Sequence, residues 1–115
     1  TAGLVAVCKA VDDQGLNGKV YVTGIGLPSL QADYIKSGLC PTAYIWNPID
    51  LGYLAGYAAD ALIKGDITGT VGETFEAGRL GNYEITEDSD GGTEVILGEP
   101  LELNKDNIDE YKDIF

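Results

Sequence analysis

The chain has 115 residues, 44% of them hydrophobic, with 7 basic against 19 acidic side chains and a formal net charge of −12. That length suits one modest domain with its own core and is too short for a deep cleft between two complete lobes. The charge argues against electrostatic binding to nucleic acid or to an anionic membrane, and the ordinary apolar share argues against a disordered tail.

No apolar run is long enough to cross a bilayer, and neither an initiator Met nor a signal-peptide pattern is visible. The sequence opens inside what reads as the first turn of a helix, as expected of a fragment of a longer protein. His is absent, and Cys8 and Cys40 lack metal-type spacing, which argues against a zinc site or a Cys–His nucleophile; no metal or cofactor is expected. Two packed free thiols and a disulfide both remain open for the cysteines, the latter fitting an exported protein.

Leu4, Val5, Val7, Cys8 and Val11 have helical spacing, and the segment stops at Asp12-Asp13-Gln14-Gly15 with Gly placed as a C-cap. Val20 to Thr23 reads as a short strand that enters Gly24-Ile25-Gly26-Leu27-Pro28-Ser29. A second helix is expected from Ser29 to Ser37, closed by Gly38, then a strand over Ala43–Trp46. A third helix runs from Pro48 to Lys64 and ends on Gly65. Beyond it, Thr74–Ala77, Tyr83–Thr86 and Thr93–Leu97 read as strands of a meander, with a hairpin turn at Asp90-Gly91-Gly92 and a short terminal helix near Asn104–Asp109.

Two strands separated by one helix point the same way. The expected fold class is therefore α/β with a parallel sheet and a β-rich C-terminal tail. Gly24–Ser29 and Trp46–Asp50 should then share one edge, where small ligands meet strand ends and helix starts.

The run Tyr44 to Tyr53 is the most informative stretch, because a buried strand becomes a capped helix with no loop between. Asn47 is an N-cap residue, Pro48 suits the first helical position, and Asp50 meets the helix dipole. The same amide and carboxylate could contact a ligand, and Trp46 could fill core or lie under the apolar face of a sugar ring. Gly26 allows close backbone approach, while Pro28 and Ser29 also serve simply as a helix start. With Ser29 at the third glycine's place, the loop is a poor dinucleotide fingerprint. Glu87, Asp88, Asp90 and Glu94 fail the calcium-loop spacing. No nucleophile elbow, P-loop or acid–base pair is present, so catalysis is not expected.

The residues Ala2–Ala10, Gly15-Leu16, Lys19–Gly24 and Leu27-Pro28 resemble the later part of type I periplasmic sugar-binding proteins. Tyr34–Gly38, Ile45–Pro48 and Asp50–Tyr53 resemble the branch with the rhamnose-binding and autoinducer-2-binding receptors of ABC importers. Phe75, Gly78–Gly81, Val95–Pro100 and Asn107-Ile108 agree with it.

The resemblance implies that residues 1–46 belong to a second lobe, 47–66 cross a hinge into a first-lobe helix, and 67–115 form the meander tail and terminal helix. It implies a small sugar-like ligand, with Trp46, Asn47, Asp50, Gly26, Pro28 and Ser29 as ligand-binding residues. ABC permease subunits would be partners, in a periplasmic or extracellular setting with a lipid anchor possible in the full-length protein. Where many such receptors carry an Asp after the second strand, this chain has Gly26, so a main polar grip on the ligand is either missing or supplied elsewhere, which leaves the identity of the sugar open. The alternative is the sugar-sensing domain of a transcription regulator. A chain of this extent alone should self-associate, or rearrange its packing, to cover the apolar face of its third helix.

Overall fold

The computed structural model describes residues 2–115. They fall into two compact units divided after Trp46, the second covering Asn47–Glu99, with Pro100–Phe115 returning to the first.

In the first unit, helix α1 (Ala2–Asp13) buries only Leu4 and Cys8. Helix α2 (Pro28–Ser37) starts at a proline and buries Pro28, Gln31, Ala32 and Ile35, the i, i+3, i+4, i+7 face of an amphipathic helix. Strand β1 (Ala43–Ile45) pairs antiparallel with a strand from the tail, Leu101–Leu103, with Tyr44 opposite Glu102. Leu4, Cys8, Ile35, Leu39, Cys40, Ile45, Leu103 and Ile108 form one apolar cluster.

In the second unit, helix α3 spans Pro48–Lys64, the bounds expected from sequence. The Asn47 side-chain oxygen accepts from the backbone N–H groups of Ile49 (2.9 Å) and Asp50 (3.3 Å), an N-cap that contributes about 1 kcal/mol. At the other end Gly65 adopts φ +80°, a left-handed turn closed without the cost a Cβ would impose. Strands β2 (Thr74–Glu76) and β3 (Asn82–Glu84) form one hairpin, and β4 (Thr86–Glu87) and β5 (Thr93–Glu94) another. The tail strand Leu101–Leu103 is thus β6, and the terminal helix α4 is Ile108–Tyr111. Leu54, Ala61, Ile67, Phe75, Ala77 and Ile85 make the second core. The Glu73 carboxylate accepts backbone N–H bonds from Thr68, Gly69 and Thr70 at 2.8–2.9 Å, which fixes the loop before β2 and holds its carboxyl below the usual range.

Among the described residues the parallel sheet expected from sequence is not formed: they make three two-stranded sheets, all antiparallel. Parallel pairing among them shrinks to one isolated bridge, Ile25 with Tyr44. The reason is local. The Thr23 hydroxyl donates to the Thr42 carbonyl at 2.9 Å, a side-chain bond where the ladder would otherwise continue through the backbone. Residues 20–23 therefore carry no strand. On its opposite edge β1 pairs with β6, a strand absent from the sequence reading.

The tail of the first unit is tied down by charge. Asp109 accepts from Lys36 of α2 at 2.6 Å and from Lys112 at 2.8 Å. These two ammonium groups, Lys112 foremost, hold its carboxyl down to about 2 from an ordinary 3.8. A depressed folded value means the stabilisation is complete above about 3.8 and is lost as pH falls through about 2. A carbon-13 titration should give an Asp109 carboxyl midpoint near 2, raised toward 3.8 in Lys112→Met. A wild-type midpoint at 3.8 would show that the ion pairs do not form in solution.

Candidate functional site

Four of the residues singled out by sequence lie in the first unit and two in the second. In the first, the Gly26 N–H donates to the Tyr44 carbonyl at 3.1 Å, and the Tyr44 N–H donates to the Gly24 carbonyl at 2.9 Å. These bonds lay the turn before α2 alongside the strand that leads to Trp46. Gly26 and Pro28 are buried, Pro28 among the most fully enclosed side chains of the chain. Ser29 is exposed, its N–H donating to the Phe115 carbonyl at 3.3 Å. Trp46 is 43% exposed, a large ring partly open to solvent.

Gly26 is a packing requirement. A Cβ there would lie 2.7 Å from Cγ of Gln31 and 2.8 Å from Cδ2 of Leu4. Sequence reasoning missed Gln31. It is completely buried, its Oε1 accepts from the Cys8 thiol at 3.7 Å, and its Nε2 has no hydrogen-bond partner. Its place on the apolar stripe of α2, four residues from Leu27 and from Ile35, was the available signal.

In the second unit, Asn47 and Asp50 are half-buried. The Asn47 oxygen is committed to the helix cap, which leaves its Nδ2 as the group able to donate elsewhere. The Asp50 carboxylate is ion-paired with Arg79. Arg79 also lies 4.6 Å over the Tyr53 ring, and its backbone N–H donates to the Tyr53 hydroxyl at 3.4 Å. The Tyr53 and Tyr57 hydroxyls meet at 3.4 Å. Asp50 is therefore oriented by Arg79, a residue that the sequence reading placed only within a matching motif. Along α3, Gly52, Tyr53, Gly56, Tyr57, Asp60 and Lys64 line an open groove of about 480 Å³ that contains none of the expected site residues. Among the described residues no three His, Cys, Asp or Glu side chains converge as metal ligands.

Gly26→Ala should destabilise the chain by roughly 1–3 kcal/mol, since the added methyl forces Leu4 and Gln31 apart. Chemical denaturation measures this, and an unchanged midpoint would mean that the turn does not pack as described.

The profile of the periplasmic binding protein domain matches residues 1–67, more than half of the chain. Among solved structures, an ABC transporter solute-binding protein from Clostridium phytofermentas with bound L-rhamnose is 44% identical over 100% of this chain, with a TM-score of 0.88. A sugar ABC transporter protein from Actinomyces odontolyticus is 40% identical over 96%, with a TM-score of 0.82. LsrB from Clostridium saccharobutylicum in complex with AI-2 covers 94% at 24% identity and a TM-score of 0.77, which bears on fold alone. The chain spans 38%, 34% and 36% of those three proteins, little more than a third. These are binding proteins, a non-catalytic class. The residues matched by the profile, and the identity maintained across nearly the whole sequence, make this chain a member of the periplasmic binding protein family, akin to the sugar-binding components of ABC transporters.

Proposed function

We propose that the chain is part of an exported solute-binding component of an ABC transporter that captures a small sugar of the rhamnose type and performs no chemistry. The observation that carries this reading is the 44% identity, over 100% of the chain, to a protein holding L-rhamnose. Residues 1–46 contribute to a second lobe, the chain crosses the hinge at Asn47 into a helix of the first lobe through residue 66, and residues 67–115 complete the tail. The remaining cleft wall comes from polypeptide beyond the third of the receptor represented by these residues. Closure of the lobes about the ligand is favoured by contacts that the open state lacks, and the closed form is what the permease subunits engage. The setting is periplasmic or extracellular, with a lipid anchor as one mode of retention.

The exposed Trp46 ring stacks on the apolar face of the sugar. Asn47 donates through Nδ2 to a hydroxyl, and Asp50, held by Arg79, accepts from another. The turn from Gly26 to Ser29 forms wall, with the buried Gly26 and Pro28 as its backing and Ser29 exposed. The α3 face carrying Gly52 and Gly56 is open, with Ile49, Leu51 and Ile63 more than half exposed beside it. In the full receptor the first lobe covers it, and in the isolated chain a second copy does.

Titration of the full-length receptor with L-rhamnose and a panel of related sugars should quench Trp46 fluorescence and raise the melting temperature. Asn47→Asp keeps the capping acceptor but loses the amide donor, so affinity should fall about tenfold with stability little changed. Absence of any response across a broad carbohydrate panel would contradict the reading. The 115-residue chain alone should sediment as a dimer or larger species, and a monodisperse monomer would count against the covered-face argument.

A further inference from the structure

Asp50 and Tyr53 stand one turn apart on α3, and both hold Arg79, which arrives in the 3-10 turn Gly78–Leu80 from 29 positions beyond Asp50. The turn is shaped to deliver this side chain. Gly78 has φ +53°, and a Cβ there would strike the Tyr53 and Tyr57 hydroxyls, so glycine is what lets the turn sit against α3. Tyr53 then holds Arg79 at both ends, its hydroxyl accepting the backbone N–H at 3.4 Å and its ring lying 4.6 Å under the guanidinium.

The ion pair itself is single-pronged, Arg79 Nη2 donating to Asp50 Oδ1. Among the described residues no other hydrogen bond occupies Asp50 Oδ2 or the remaining guanidinium N–H groups. The two side chains keep 52% and 26% of their surface, Arg79 the larger share. An ion pair this open contributes little to stability. It does leave a bare acceptor and bare donors beside one another, on a pair with no net charge.

We propose that Arg79 is a ligand-binding residue and that, together with Asp50, it reads two adjacent hydroxyls of a neutral sugar. This rests on the sugar-binding reading above and gives that site its chemical selectivity. A carboxylate only accepts and a guanidinium only donates, whereas a hydroxyl does both. One hydroxyl therefore donates to Asp50 Oδ2, and its neighbour accepts from an Arg79 N–H, both bonds strengthened by charge. A sugar acid or phosphate would meet the Asp50 carboxylate, and an amine the guanidinium, so a neutral diol is what suits both halves. Tyr53 is a positioning residue, since it fixes the guanidinium through its ring and the backbone through its hydroxyl.

The test is calorimetric titration of the full-length receptor with L-rhamnose and with monodeoxy analogues, each lacking one ring hydroxyl. Wild type should bind the two analogues that lack one or other of the adjacent hydroxyls about tenfold more weakly than L-rhamnose. Arg79→Met should abolish the preference at one of these hydroxyls. Asp50→Asn, which keeps Oδ1 for Arg79 and turns Oδ2 into an amide donor, should abolish it at the neighbour. Tyr53→Leu should weaken the Arg79-dependent preference, and Tyr53→Phe, which keeps the ring, should retain most of it. A merely structural role would weaken every sugar alike. Arg79→Met that lowers affinity for L-rhamnose and all analogues by one common factor, or changes none of them, would overturn the proposal while wild-type binding upholds the sugar reading. Wild type that binds none of these sugars would remove that reading and the proposal with it.

Discussion

The first unit depends on a pair of backbone hydrogen bonds, from Gly26 to Tyr44 and from Tyr44 to Gly24. They form a single rung, yet they fix where α2 begins and keep its first turn beside the end of β1. The rung exists because Gly26 has no side chain, so that Leu4 of α1 and Gln31 of α2 close over it. On its other edge β1 is paired with β6, so a three-residue strand is held from both sides. Removing the turn would leave the Tyr44 N–H and carbonyl without partners, and removing β6 would strip the opposite edge of the strand.

Helix α3 was legible to the residue because its signals are local. Asn47, Pro48 and Asp50 define its start, and Gly65 its end, through interactions spanning at most four positions. The proline start and glycine end of α2 were legible for the same reason. What sequence reasoning misjudged was nonlocal. Val20 to Thr23 has strand composition, but a side-chain bond from the Thr23 hydroxyl to the Thr42 carbonyl stands where the ladder would continue, and it is not visible until the two segments are adjacent. The antiparallel partner of β1 comes from 58 positions away, Glu102 opposite Tyr44, and the short Leu101-Glu102-Leu103 alternation does not announce it. The hairpins after α3 were placed correctly in kind, but they make two separate two-stranded sheets instead of a meander.

The candidate site divides in the same way. Trp46, Asn47 and Asp50 stood out because an indole, an amide and a carboxylate crowd a strand-to-helix seam. Gln31 and Arg79 did not, since their importance comes from what they touch: the bare backbone of Gly26 for one, the Asp50 carboxylate and the Tyr53 ring for the other. Gly26 illustrates the general point. Its meaning in sequence was a missing acid, and its meaning in the fold is a contact that no other residue would permit.

Amide hydrogen exchange at Gly26 and Tyr44 tests the rung most directly. Both N–H groups should exchange only through opening of the whole first unit, with protection matching that of Leu103 in β6. Exchange of Gly26 at the rate of an unstructured peptide, with Tyr44 and Leu103 still protected, would contradict the account.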